Sequence, residues 1–183
     1  MRIPSLCQRG ISLIELVVFI TVVSVAVAGV LSVMNTAGEK SADPVARKQA
    51  LAVAEGLLEE VTAQPFTWCD PDDTAVTTAT SAGACLTAEA MGPEAGESRY
   101  AVPMFDNVND YDGLSMSGIR GVADASTVLL AGYGAEVSVT QVGSSFGLAD
   151  NAAALRIDVR VHGNGEDITL TGYRFRHSPN SAG

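Results

Sequence analysis

Chemistry-bearing side chains are scarce in this chain. Its 183 residues include three Cys, two His and one Trp, and only 17% are charged. Three Cys and two His are too few for a zinc cluster of the usual spacing. Neither His162 nor His177 has a Ser or Cys partner recognisable by sequence, and no catalytic constellation emerges, so a non-enzyme is expected. Basic residues are also few, 11 Lys+Arg against 21 Asp+Glu, for a net charge of −10. Phosphate binding needs a basic surface, so this balance argues against nucleic acid as a partner. Between residues 66 and 150 the excess is sharper, twelve acids against Arg99 and Arg120. Such a surface suits cations, basic partners or neutral sugars. The 47% hydrophobic content argues against disorder, and the length suits one ordinary domain.

The most informative stretch is the N-terminus. Residues 1–10 are short and polar, with Arg2 and Arg9 and no acid. From Ile11 to Met34 the chain is almost wholly apolar. As a helix this run spans roughly 36 Å, enough for a bilayer core of about 30 Å. Basic residues ahead of it keep that end cytoplasmic. The run is long for a secretory h-region, no A-x-A site follows it, and Cys7 precedes it, which disfavours a lipoprotein signal. Glu15 is the single charge between Ile11 and Gly38. A carboxylate inside a membrane span costs about 2.5–3.5 kcal/mol even on the lenient insertion scale, so it needs a partner that this segment lacks. Cutting after Gly10 would supply one, the free amine of Ile11 on a neighbouring subunit.

The pattern of basic leader, Gly10, Ile11, Glu15 and apolar helix resembles the class III signal of type IV pilins and type II secretion pseudopilins. It departs from the usual pattern at Ile11, where the first mature residue is ordinarily Phe.

Beyond the apolar run, Gly38 and the Asp43-Pro44 pair predict a loosened or kinked stretch over 36–43, with Asp43 as N-cap and Pro44 at the first helical position. The segment to Gln64 carries Ala50, Leu51, Ala54, Leu57, Leu58 and Val61 at helical spacing, with Arg47, Lys48, Glu55, Glu59 and Glu60 largely on the other face. Pro65 ends it. Cys69 and Cys85 form an even pair once Cys7 is removed with the leader, and a disulfide is the default in an exported domain. The stretch Thr74–Ser98 is low in complexity and carries no motif.

Two acidic runs raise a calcium hypothesis: Asp70, Asp72 and Asp73, and then Asp106, Asn107, Asn109, Asp110 and Asp112 before Gly113. Counting back from Gly113 places Val108 at the first EF-hand position, so that loop is excluded. Solvated turns with Asx-type hydrogen bonds are the expected role, with a cation at Asp106, Asn107, Asp110 and Asp112 kept as the alternative.

Leu155, Ile157, Val159 and Val161 alternate with polar residues, and Asn164-Gly165 signals a hairpin to a strand carrying Ile168 and Leu170. A phase slip at Gly172 predicts a bulge or break. Thr127–Ala131 and Glu136–Val142 read as two further strands joined near Gly132-Tyr133-Gly134. The expected fold class is α+β and type IV pilin-like, a long N-terminal helix packed on an antiparallel sheet with one wet face. Its segments are leader 1–10, membrane or filament-core half 11–40, amphipathic half 41–65, acidic disulfide region 66–126, sheet 127–176 and tail 177–183.

Arg47–Val61, Gln64–Asp73 with Trp68-Cys69, and Phe105–Val108 through Asp112-Gly113 closely resemble the minor pilins of the mannose-sensitive haemagglutinin (MSHA) type IV pilus. That resemblance covers about half the chain. It implies cleavage at Gly10–Ile11 by a prepilin peptidase, N-methylation of Ile11, and contact of Glu15 with an adjacent subunit during assembly. Implied partners are major and minor pilins of the same fibre and an inner-membrane assembly platform. The implied localisation is a single-pass inner-membrane precursor with a periplasmic domain, then an extracellular pilus serving attachment. No cofactor is implied. A minor pseudopilin of a type II secretion system is the alternative, and a glycan-binding tip adhesin using Trp68 and Tyr111 is a third reading.

Overall fold

In the computed structural model the backbone is described for residues 12–39 and 44–182, and side chains for 12–34 and 44–182. The chain divides into two compact units, residues 1–42 and 43–183. The first contributes one helix, α1, Leu13–Glu39. Its stretch Leu13–Met34 is long and apolar enough to cross a membrane, and no part of it is buried by the chain itself. The expected loosening is absent from 36–39, where the helix stays regular, and the remaining positions 40–43 lie outside the described residues. Gly38 is tolerated there because helical hydrogen bonding continues through it.

The second unit is a helix on an antiparallel sheet, which makes the architecture α+β. Helix α2, Pro44–Ala63, buries Ala46, Ala50, Ala54, Leu57 and Val61, one stripe at three- and four-residue spacing. Leu51, expected in the stripe, is exposed, and Ala46 takes its place one turn earlier. The small alanines let the helix axis approach the sheet closely.

That sheet has four strands in the order β1-β2-β3-β4: Ser115–Arg120, Val128–Gln141, Ala154–Gly163 and Glu166–Phe175. All neighbours are antiparallel. Leu155, Ile157, Val159 and Val161 of β3 are all but fully buried and form the centre of the core with Val137 and Val139 of β2. Arg156, Asp158, Arg160 and His162 occupy the other face, as the alternation predicts.

Three strand-level expectations change. The segment 128–141 is one strand, not two. Gly132-Tyr133-Gly134 marks a bulge in it, since the register with β1 jumps from Ser117↔Gly134 to Ile119↔Leu130. Gly118, at φ +79°, sits at that irregularity. Strand β1 itself lies inside the region read as loop, because this bulge interrupts the alternation of its six residues. Finally, β4 stays in register with β3 through Ile157↔Gly172, without a break. Gly172 holds a core-facing position, and Leu58 of α2 packs over it where a side chain would stand.

Asn164 and Gly165, at φ +48° and +81°, make the expected two-residue hairpin turn. Just before it Gly163 has φ +137°, and a Cβ there would collide with the Gly132 carbonyl of β2. Gly163→Ala is expected to destabilise the domain by about 1–3 kcal/mol from backbone strain alone, measurable as a lowered midpoint in chemical unfolding of the full chain in detergent.

Candidate functional site

Two regions hold the residues singled out in the sequence. Gly10 and Ile11, the expected processing site, lie outside the described residues. Glu15 is exposed in the first turn of α1, where a negative charge faces the positive end of the helix dipole. Around it the surface is apolar. Thr21 and Ser24 turn their hydroxyls inward, donating to the carbonyls of Val18 and Ile20 at 2.8 and 2.7 Å. Their polarity is thereby satisfied within the helix, which leaves Glu15 as the one charged group in the lipid-compatible stretch Leu13–Met34.

The second region is the acidic segment that follows α2. Cys69 and Cys85 are joined in a disulfide with Cα atoms 5.3 Å apart. The bridge packs with Val76 and Ala79 into a small satellite core, flanked by Trp68. Residues 178–182 are strapped across it: the Asn180 amide donates to the carbonyls of Val76 and Ala79, both at 2.8 Å, and the Pro179 carbonyl accepts from the Trp68 N–H. Asp70 and Asp73 serve turns. The Asp73 carboxylate accepts from the N–H groups of Ala75, Leu86 and Thr87, and these bonds hold its pKa below the usual range.

The second acidic run departs from the solvated turn expected of it. Asn107, Asn109, Asp110 and Tyr111 are buried, and Val108–Tyr111 forms a single 3-10 turn. One Asp110 oxygen, Oδ2, accepts from the N–H groups of Asp106 and Asn107 at 2.9 and 2.7 Å. The Asn107 amide donates to Thr67, 2.8 Å away. Asp112 turns toward the sheet and accepts from Val139 N–H at 2.8 Å. The four candidate cation ligands Asp106, Asn107, Asp110 and Asp112 therefore do not converge.

Carboxylates from the supposedly featureless stretch converge instead. Oxygens of Glu89, Glu94 and Asp110 lie within 4.8 Å of one another, and those of Asp70, Glu97 and Asp106 do likewise. Burial and mutual repulsion push Glu89 up to about 9, Glu97 up to about 8, Asp110 up to about 7 and Asp106 up to about 6. No local spacing marks Glu89 or Glu94, since they are brought to Asp110 by the path of the loop. Gly92 N–H donates to the Asn109 carbonyl and Glu89 N–H to that of Trp68, which fixes that path.

Tyr111 is not an exposed platform for a sugar. Its ring packs edge-on against Phe105, with centroids 5.1 Å apart, and its hydroxyl donates to Glu60 at 2.9 Å. Glu60, near the end of α2, also receives a two-pronged contact from Arg99, both N–O distances being 2.7 Å. Arg99 is 4% exposed and reaches on to the Arg120 carbonyl at 3.0 Å. This ion pair ties the acidic segment to α2.

Comparison with protein-family models, curated proteins and solved structures finds no match to this chain. Arg99→Ala, which strands the Glu60 carboxylate, should cost about 3 kcal/mol. Adding Glu60→Gln should recover part of that loss, giving a non-additive cycle in denaturant unfolding.

Proposed function

We propose that this chain is a structural minor subunit of a type IV pilus, made as a membrane-anchored precursor and assembled through its N-terminal helix. The observation that carries the reading is Glu15. It is the one charged residue of Leu13–Met34, a strongly apolar stretch that its own chain leaves unburied. A plain anchor gains nothing from that charge and pays the insertion cost. An assembling subunit gains a specific contact, because the amine created by cleavage between Gly10 and Ile11 places a positive charge where a neighbour's Glu15 can meet it. The same apolar surface exchanges lipid for the helices of adjacent subunits, so leaving the membrane does not expose it to water. The globular domain, an amphipathic helix on an antiparallel sheet, supports the reading by its layout.

Within that class, the residues around Trp68-Cys69 and the Phe105–Gly113 turn resemble MshD, the minor-pilin-like protein of the MSHA pilus. On this reading the partners are the other pilins of the fibre, a prepilin peptidase and an inner-membrane assembly platform. The chain primes or caps a fibre that serves surface attachment. Burial of Tyr111 removes one of the two aromatics on which a direct glycan-binding role would stand.

Mass spectrometry of the protein from its native host should find a mature chain beginning at N-methylated Ile11, with Cys69 and Cys85 oxidised. An intact Met1, or cleavage beyond Met34, would overturn the proposal. Glu15→Ala should leave membrane insertion intact while reducing the protein recovered in sheared surface fibres at least about tenfold, the equivalent of about 1.4 kcal/mol of lost assembly contact. Processed wild-type protein confined to the periplasm would instead identify a pseudopilin of a secretion system.

A further inference from the structure

We propose that Glu89, Glu94 and Asp110 hold a calcium ion, which crosslinks the 86–97 loop to the 3-10 turn at Val108–Tyr111. Two ligands of one calcium ion, each at about 2.4 Å, are at most about 4.8 Å apart. The oxygens of these three residues satisfy that limit pairwise.

The buried polar atoms supply a second and independent reason. Asp110 is fully buried, and while its Oδ2 caps the turn, its Oδ1 has no hydrogen-bond partner. Neither oxygen of Glu89 has one. The Asn109 side chain, 4% exposed, likewise has an unpartnered Oδ1, and it lines the same cavity of about 420 Å³ as Glu89. A buried oxygen left without a donor is costly, and a cluster of them is explained by a ligand that accepts lone pairs. No side-chain donor fills that role among the described residues. None of the six gathered carboxylates is ion-paired; Arg176, which lines the same cavity and acts on Glu89 electrostatically, gives its two terminal nitrogens to Asp150 and the Ala152 carbonyl, and its Nε bonds to none of these oxygens.

Ligand chemistry selects the ion. All the available donors are oxygens, which disfavours zinc and copper, and they come from two loops rather than a rigid octahedral cage, which suits calcium over magnesium. Cys69 and Cys85, close to Asp73, are already committed to each other. Three carboxylates also leave one negative charge on the bound ion, facing Arg176.

The site belongs to the globular unit and is independent of how the chain is anchored or assembled. The test is calorimetric titration of the full chain in detergent, stripped with EDTA, using CaCl2 and separately MgCl2, with thermal unfolding alongside. We expect one saturable calcium site with a Kd of about 1 mM or tighter. At about 10 mM CaCl2 the Tm should rise by about 3–6 °C. The double variant Glu89→Gln, Glu94→Gln should lose both effects while unfolding in EDTA at or above the wild-type temperature, because its repulsion is relieved. Glu136→Gln, on the open face of the sheet, should retain both. Absence of calcium heat and of a Tm shift in the wild-type chain, or a response preserved in the double variant, would overturn the site. So would an equal response to magnesium.

Discussion

The second unit is organised by the contact between the buried stripe of α2 and strands β3 and β4. Ala50, Ala54, Leu57 and Val61 share one core with Ile157, Val159 and Val161, and Ala46 is buried one turn before them. Small side chains on the helix and β-branched ones on the strand make a close, dry interface, which hydrophobic burial favours without any directional bond. Directional bonds then fix what the apolar contact leaves free. The Tyr133 hydroxyl lies 3.1 Å from the Ala46 carbonyl near the start of the helix, and Glu60 meets Arg99 and Tyr111 near its end.

The acidic segment is a different kind of structure, with little apolar core of its own. It is held by crosslinks: the disulfide, the Glu60–Arg99 pair, the strap at Asn180 and the buried caps at Asp73 and Asp110. A region built this way tolerates a high density of like charge only where each carboxylate is exposed, capped or neutralised. Asp70 and Asp73 are accounted for by turns. Glu89 and Asp110 are the ones left with buried carboxylate oxygens that no donor reaches.

The two units divide the work by surface chemistry. Helix α2 is amphipathic and buries one stripe against the sheet, whereas the Leu13–Met34 stretch of α1 is apolar apart from Glu15 and is not buried. That contrast underlies the proposed role, in which a folded domain is carried on a helix whose partners are lipid and then other subunits. Glu15 gives the helix a polarity that lipid does not require.

Much of this was legible in the sequence, for reasons of local physics. The apolar run, the lone Glu15, the α2 stripe, the β3 alternation and the Asn164-Gly165 turn are each set by near-neighbour spacing, so periodicity and turn chemistry reveal them. What the chain could not disclose locally was decided by contacts distant in sequence. Gly132-Tyr133-Gly134 looks like a turn until β1 pairs across it and makes it a bulge. Gly172 looks like a break until Leu58 fills the space above it. Asp106, Asn107, Asp110 and Asp112 look like one acidic turn, yet burial sends Asp112 to the sheet and Asp110 to carboxylates about twenty residues upstream. Sequence by itself determined the two helices, the β3–β4 hairpin and which end is apolar enough to cross a membrane, because those follow from spacing and polarity. Only the tertiary structure decided which charges are buried together, because burial belongs to the packed chain and not to any stretch of it.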